Sequence, residues 1–505
     1  DNSRMLYVKK TNADEFNAYV AKLADAGFTE FATRQMGDNL YAIYKNDKKI
    51  LHASYHAAGK EARITVDDAY DMTLFTEQEY EKVCEPAVHL LGMEFNSAKD
   101  PDNYVQNALG LIFRLEDGRF IIVDSNYYGE KQANLLYNQL CEMAVDKDNI
   151  VIAAWIFTHA HSDHVGAFCT FAGSSLKDKV TIQNFLYHFT TDAQYKAAND
   201  SGALGNVRSA MRKYPTAGNI KAQSGQVLYV GGMEIEILFT FADMEPTVLG
   251  DHNTTSIVLR FTVQDNTLLV TGDASNKSCN YLVRKYGDYL RSDIAQIAHH
   301  GYNGTKEFYE TVDADTLLWP GGVRQFYGRD GLYRIMDWEF NKRALELAKE
   351  VYIAGDKGYT LILPHTPENT DTVKWLKEHC TEYGLILRFP SDKKDITGVM
   401  YEPFHYRYVG VEAATYITEN GICFEEFLKE IDFKLPEAKI DAVCIVPYGY
   451  EQWDAWGVVF SSYILAKQAK INLNFAYCKD ELPDAKAYIL PSVSTEYPTL
   501  KCYEL

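Results

Sequence analysis

An α/β fold built in layers is what this sequence predicts, and three observations predict it. Apolar runs of strand length alternate with helical stretches, several of those runs stop at a Gly, Asp or His, and hydrophobic residues make up 47% of the chain. At 505 residues the chain is too long for one ordinary domain and implies roughly two to four. The divisions read from composition and pattern are 1–75, 76–370, 371–430 and 431–505.

Residues 1–75 read as a small α+β unit: a strand at 5–9, an amphipathic helix at 13–26, then three strand-like stretches through Val66. Tyr7, Tyr41, Tyr44 and Tyr55 interleave with those strands, where β-sheets favour aromatics in any case, although they could also rim a cleft. From residue 110 the pattern becomes a hairpin (GLIFR, then RFIIVD) around the Asp117-Gly118 turn, a helix near 132–143, and the strand VIAAWIF at 151–157. A second hairpin spans 226–241 around Gly231-Gly232. Two strands, ending at Val263 and Asp273, flank the Asp265-Asn266 turn. Strands at 294–298 and 315–319, a helix at 341–350 and strands at 351–354 and 359–363 complete this part, and a loop at 195–220 is expected to cover its cleft. The last segment alternates strand (440–446), helix (457–469), strand (471–476) and strand (487–490), a partial flavodoxin-like α/β pattern.

The run THAHSDHVGA at 158–167 carries the chemistry. It places His159, His161, Asp163 and His164 within six positions after an apolar strand, where a short turn can aim them at one point. Neutral imidazoles and carboxylates are the donors a divalent metal site uses. Further donors stand at later strand boundaries: His252 before the strand 257–263, Asp273 after LLVTG, and His299 and His300 after the strand that begins at Ile294. His188 has apolar neighbours and reads as structural, as do His52, His56, His89, His365 and His379.

On these motifs, over about residues 86–365, the chain resembles the metallo-β-lactamase superfamily, and within it the branch of competence-type hydrolase domains and phosphorylcholine esterases. The resemblance implies a four-layer αββα sandwich binding two zinc ions. His159, His161 and His252 would hold one, Asp163, His164 and one of His299 or His300 the other, with His299 favoured, and Asp273 would bridge. Iron or manganese suits the same nitrogen and oxygen donors. The implied activity is hydrolysis of an ester, phosphodiester, lactone or amide by a metal-bridging hydroxide. Asp163 and Asp273 would orient that hydroxide, and Asn253 and Tyr302, beside ligands, would donate to the developing oxyanion. Asn303 sits in an Asn-Gly pair and reads as turn chemistry.

About residues 375–428 resemble the C-terminal half of vancomycin-type D-Ala-D-Ala carboxypeptidases, which would make Glu402 the base and His405 a zinc ligand. Phe404 stands where that family has Trp, and the upstream segment that supplies the other two ligands is absent, so this part reads as a fragment without its own catalysis.

A net charge of −20 argues against a nucleic-acid surface, which needs clustered cations, and so against a competence-type nuclease. A small-molecule or cell-envelope substrate is expected instead. A competence-type metal-dependent nuclease and a non-catalytic binding protein with a structural metal site are the alternatives. The nine dispersed cysteines read as free thiols, suiting a reducing or anaerobic setting. No apolar stretch approaches the ~20 residues of a membrane span. The chain begins at Asp1, compatible with removal of a targeting segment, and the expected location is the cytoplasm or the cell surface of an anaerobe. Oligomeric state has no signature in the sequence.

Overall fold

The computed structural model describes residues 3–93, 107–198, 202–327, 334–355, 358–363, 371–397, 405–430, 440–446, 455–477 and 485–489. His365, Glu402, Phe404, Cys478 and Cys502 lie outside the described residues. Among the described residues, the chain divides into two compact units, 1–327 with 334–415, and 416–505 with 328–333.

Two mixed sheets dominate the first unit. One has the spatial order Gly218–Lys221, Asn184–Tyr187, Ile150–Phe157, Phe120–Asp124, Gly110–Arg114, Ala87–Leu91 and Gly358–Ile362, with Val180–Ile182 also paired to Ile150–Phe157. The other runs Val227–Val230, Met233–Phe239, Val258–Val263, Asn266–Val270, Ile294–Gln296, Thr316–Trp319 and Glu350–Ile353.

Both sheets are apolar on both faces, so each must be covered twice. Between them lies a core of Leu111, Phe113, Val123, Ile156, Ile237, Phe261 and Val270, in which Phe113 and Phe261 stack at 4.2 Å across the two sheets. The helices Glu130–Met143 and Ser162–Gly173 cover the outer face of the first sheet through Leu136, Leu140, Phe168 and Phe171. Asn276–Tyr286 and Lys306–Val312 cover the second through Cys279, Leu282 and Phe308. Helix, sheet, sheet, helix is a four-layer αββα sandwich.

The N-terminal residues form an antiparallel sheet in the order Arg4–Lys9, Glu61–Asp68, Lys49–His56, Asn39–Lys45 and Thr29–Met36. Four strands follow the helix where three were expected, because Ala57 to Lys60 form a tight turn that splits the last stretch in two. The helix itself is shorter than expected, Ala13–Val20, and ends in turns. Strand Asn39–Lys45 shows the period-2 rule directly. Ala42 and Tyr44 pack under the helix with Phe16, whereas Tyr41 and Ile43 enter the cores of the sandwich.

Polar contacts fasten the same interface. Asn39 Nδ2 donates to the Lys285 carbonyl at 2.6 Å and the Tyr41 and Tyr286 hydroxyls meet at 2.7 Å, while behind them, within the sandwich, Lys285 Nζ lies 3.2 Å from Asp243. Tyr41, Tyr44 and Tyr55 are therefore buried, and Tyr7 alone of the four keeps part of its surface exposed.

Two further expectations change. The stretch 195–220 contains the helix Leu204–Met211 and a strand beginning at Gly218, and the helix expected at 341–350 is Glu339–Leu347. In the second unit Ala442–Val446 pairs in parallel with both Leu473–Tyr477 and Ala487–Ile489, with Ala455–Gln468 as the intervening helix. Among the described residues no helix is long and apolar enough to cross a membrane, and the described cysteines are free.

Burial pushes the pKa of His52, His56 and His89 each down to about 4. All three are neutral in the folded chain at pH 7, while in the unfolded chain they titrate near 6.5. Their stabilising contribution is thus complete above about 6.5 and is lost as the pH falls through 4. Urea midpoints should drop between pH 7 and pH 5, and the drop should be smaller in His89→Gln. Equal slopes in the variant and the parent would show that His89 has no part in it.

Candidate metal centre

The parallel strands of both sheets end at one place, and there the predicted donors meet. This follows the rule that open α/β sheets present their chemistry at the carboxyl ends of strands. Asp124 closes the strand Phe120–Asp124, His159 follows Ile150–Phe157, Asp273 follows Asn266–Val270, and His299 and His300 follow Ile294–Gln296. Backbone bonds lock the ends together: Ile257 N donates to Thr158 O at 3.0 Å, and His299 N to Gly272 O at 3.0 Å. Gly272 (φ +53°) is required here, since a Cβ would come within 2.9 Å of the Thr158 side chain.

Two sets of potential ligand atoms result, Asp163, His164, Asp273 and His300 in one, His159, His161 and Asp273 in the other. Asp273 belongs to both. Its Oδ1 lies 3.1 Å from His164 Nε2 and 3.4 Å from His300 Nε2, and its Oδ2 lies 3.8 Å from His159 Nε2. His161 is the N-cap of the helix Ser162–Gly173, and Asp163 sits in that helix's first turn, 3.4 Å from His300 Nε2.

The buried imidazoles have their tautomers fixed from behind. His164 Nδ1 donates to Asp124 at 2.7 Å and His300 Nδ1 to the Pro320 carbonyl at 2.7 Å. Thr158 gives its one hydroxyl proton to Asp124 at 2.6 Å, so it accepts from His159 Nδ1 at 3.2 Å. Each ring therefore turns its Nε2 to the centre. The Nε2 atoms of His159, His164 and His300, and Asp273 Oδ1, are buried without a hydrogen-bond partner. Buried polar atoms are normally satisfied, and three imidazole lone pairs facing shared carboxylates are satisfied by divalent cations, so the donor set fits metal.

The electrostatics agree. Burial works against a proton on His300, yet Asp273 and Asp163 outweigh it and raise the pKa to about 9. His164 rises well above the ordinary range, where Asp273, Asp124 and Asp163 outweigh burial. His159 falls well below it through burial and the neighbouring His164 and His161. Asp273 falls well below the usual carboxylate range, as His164, His300 and His299 overcome burial. The field that favours positive charge at His164 and His300 also favours a cation placed between them and Asp273 in place of a proton.

The remaining candidates fall outside the two sets. His252 stacks its ring on Tyr195 at 4.1 Å and lies 5.8 Å, ring to ring, from His161. Asn253 turns its amide nitrogen to Asp251 at 3.3 Å, and Tyr302, 36% exposed, packs edge-on against His299 and Trp338. His188 spends Nδ1 on the Ala222 carbonyl at 2.7 Å.

His299 and His300, between which the resemblance leaves the ligand open, stand differently in the centre. His299 and His300 both have left-handed backbones, φ +49° and +53°, before Gly301 at +92°. In that turn His300 is fully buried with Nε2 3.4 Å from both Asp163 and Asp273, whereas His299 keeps 21% of its side chain exposed, meets Asn303 through Nδ1 and holds Nε2 3.5 Å from the other oxygen of Asp273. His300→Ala is expected to reduce bound metal and His299→Ala to leave metal content unchanged; measuring metal per chain in both variants separates them, and loss in the His299 variant alone would reverse the choice.

Asp124, Thr158 and Ser256 were not anticipated. Ser256 Oγ lies 3.3 Å from His159 Nδ1 and accepts from Asp273 N at 3.0 Å. Only Asp124 had a usable signal, an acidic residue ending an apolar strand as Asp273 does after Gly272. Burial raises the Asp124 pKa, but three donors, Thr158 N, Thr158 Oγ1 and His164 Nδ1, converge on its carboxylate.

Comparison with known proteins adds two families. Residues 106–322 match the Metallo-beta-lactamase superfamily and residues 353–411 match D-alanyl-D-alanine carboxypeptidase. The second match begins inside the sandwich, since Gly358–Ile362 pairs with Ala87–Leu91. A D-alanyl-D-alanine carboxypeptidase of Enterococcus faecalis is 53% identical over 58 residues, 12% of this chain and 22% of that protein. One of Enterococcus faecium is 34% identical over 131 residues, 26% of this chain and 41% of that protein. The chain thus spans well under half the length of these curated relatives. The metallo-beta-lactamase fold protein YhfI from Bacillus subtilis superposes with a TM-score of 0.32 at 16% identity, over 55% of this chain and 99% of that one. The chain carries a metallo-β-lactamase superfamily domain over residues 106–322, followed over residues 353–411 by a stretch of the D-alanyl-D-alanine carboxypeptidase family.

Proposed function

We propose that the 106–322 domain is a dinuclear metal-dependent hydrolase acting on an ester, phosphodiester, lactone or amide bond. The observation that carries this reading is the division of one carboxylate: Asp273 offers Oδ1 to His164 and His300, and Oδ2 to His159. His159 and His161, with His252 beside them, would hold one ion, and Asp163, His164 and His300 the other. Zinc is the expected metal, and iron or manganese suits the same donors. When bound, two such ions polarise the scissile oxygen and lower the pKa of a water toward neutrality.

The chain's own residues do the rest. Asp124, Thr158 and the Pro320 carbonyl hold protons on Nδ1 of His164, His159 and His300, which keeps each Nε2 available. Asp163, with 18% of its side chain exposed, and the half-buried His161 lie on the open side, where Asp163 can orient the attacking water. A structural metal site would be closed on all sides, so this opening favours catalysis over a binding protein. Asn253 and Tyr302 remain candidates to stabilise the oxyanion once substrate reorders their side chains.

We infer a small-molecule or cell-envelope substrate. The net charge of −20 disfavours nucleic acid, and the carboxypeptidase-like stretch favours the envelope. That stretch offers only His405 of its family's ligands among the described residues, which is too few for a catalytic zinc of its own. The working division of the chain stays at 1–75, 76–370, 371–430 and 431–505.

Metal analysis of the purified chain should find about two ions per molecule. Hydrolysis of at least one of bis-p-nitrophenyl phosphate, phosphorylcholine esters, lactones or β-lactams should stop on chelation and return with zinc, iron or manganese. A folded chain that takes up no divalent metal would end this reading.

A further inference from the structure

A second cavity, of about 500 Å³, lies where the N-terminal sheet meets the sandwich. Its walls are Met5 and Tyr7, which share one face of the strand Arg4–Lys9, the helix Asp192–Ala197, and the loop 245–249. Two of these walls continue into the metal centre. Gln194 lines the cavity, and the next residue, Tyr195, stacks on His252 at 4.1 Å. Leu249 lines it from the other side, three residues before His252.

Gln194, Glu245 and Tyr7, polar residues of the lining, already have partners. Gln194 Nε2 donates to Glu245 Oε1 at 2.7 Å, Arg63 donates to the Glu245 carbonyl at 3.1 Å, and the Tyr7 hydroxyl donates to Glu61. What the cavity still offers a ligand is mainly apolar, Met5, Ala197, Pro246, Val248 and Leu249, with Thr247 among them. Val248 is 86% exposed, an apolar side chain standing in water at the cavity's edge. Among the described residues no cation lines the cavity to receive a phosphate or carboxylate.

We propose that this cavity binds an uncharged apolar acyl or alkyl substituent of the substrate while the scissile bond lies at the metal centre. The proposal rests on the hydrolase reading and adds the class of group that selects the substrate. The N-terminal sheet then supplies one wall of the substrate site, with Met5 and Tyr7 as specificity-determining residues.

The test has a binding arm and a kinetic arm, both on the full chain. By calorimetric titration, hexanamide should bind measurably more tightly than acetamide, and Val248→Asp, at an exposed position that does not threaten folding, should weaken hexanamide by about tenfold. With p-nitrophenyl esters, kcat/KM should rise about three- to fourfold per methylene from acetate to hexanoate, and that slope should flatten in Val248→Asp and in Met5→Asp. Hexanamide binding no better than acetamide, or equally well to parent and variant, would overturn the proposal. So would ester turnover that ignores chain length. If hexanamide binds and responds to Val248→Asp while the folded chain takes up no divalent metal, the cavity assignment stands and the hydrolase reading falls.

Discussion

Asp273→Ala is expected to retain at most one tightly held metal ion and to lose hydrolysis by about a thousandfold or more, because one ion cannot both activate the attacking water and polarise the scissile oxygen as a pair can. The physical reason is that this carboxylate is the one group common to both donor sets, and its two oxygens face different imidazoles. Removing it leaves His164 and His300 facing Asp163 alone in the centre, and His159 without its anionic neighbour. Asp273 is 1% exposed, so folding must be checked alongside metal content; Asp273→Asn keeps the volume and removes only the charge. A folded variant with two ions per chain and parental turnover would remove the foundation of the hydrolase reading.

The second large effect is expected at Asp124→Asn, a residue that touches no metal. An asparagine there can still accept from Thr158 N, but its amide nitrogen would meet the Nδ1 proton of His164, donor against donor. The ring escapes by moving its proton to Nε2, and the lone pair aimed at the centre disappears. Loss of such an orienting partner costs about 10- to 100-fold in metal affinity. Competition with a chelator of known affinity reads this directly, and an unchanged affinity would mean that Asp124 does not set the His164 tautomer. Asp124→Glu should not rescue it, since the extra methylene has no room at a position with 0% exposure.

Much of the centre was legible in the sequence because its donors are chemically conspicuous. His159, His161, Asp163 and His164 crowd one turn, and Asp273 and the His299-His300 pair end apolar strands. What was not legible depends on contacts remote in sequence. The choice between His299 and His300 turns on a left-handed backbone and on the Pro320 carbonyl, twenty residues away. Thr158 and Ser256 are ordinary hydroxyl residues until Asp124 and His159 are placed beside them. The sheets were legible from apolar runs and turn pairs, but the short helix Leu204–Met211 has a Gly in its first turn and was hidden by the Ala, Gly and Asn composition around it. The N-terminal unit showed its strands and hid their destination, since alternation names two faces without naming what covers them.

That destination bears on how the molecule comes apart. Strand Asn39–Lys45 has one face under its own helix and the other inside the sandwich, and the Asn39–Lys285 and Lys285–Asp243 contacts are buried behind it. Stripping away the first 75 residues would bare an apolar wall and remove the Asn39 and Tyr41 partners of the Lys285 carbonyl and the Tyr286 hydroxyl. Heat should therefore melt the N-terminal sheet and the sandwich in a single calorimetric transition, and the small leading unit behaves as a structural organ of the enzyme-like body and not as a detachable module.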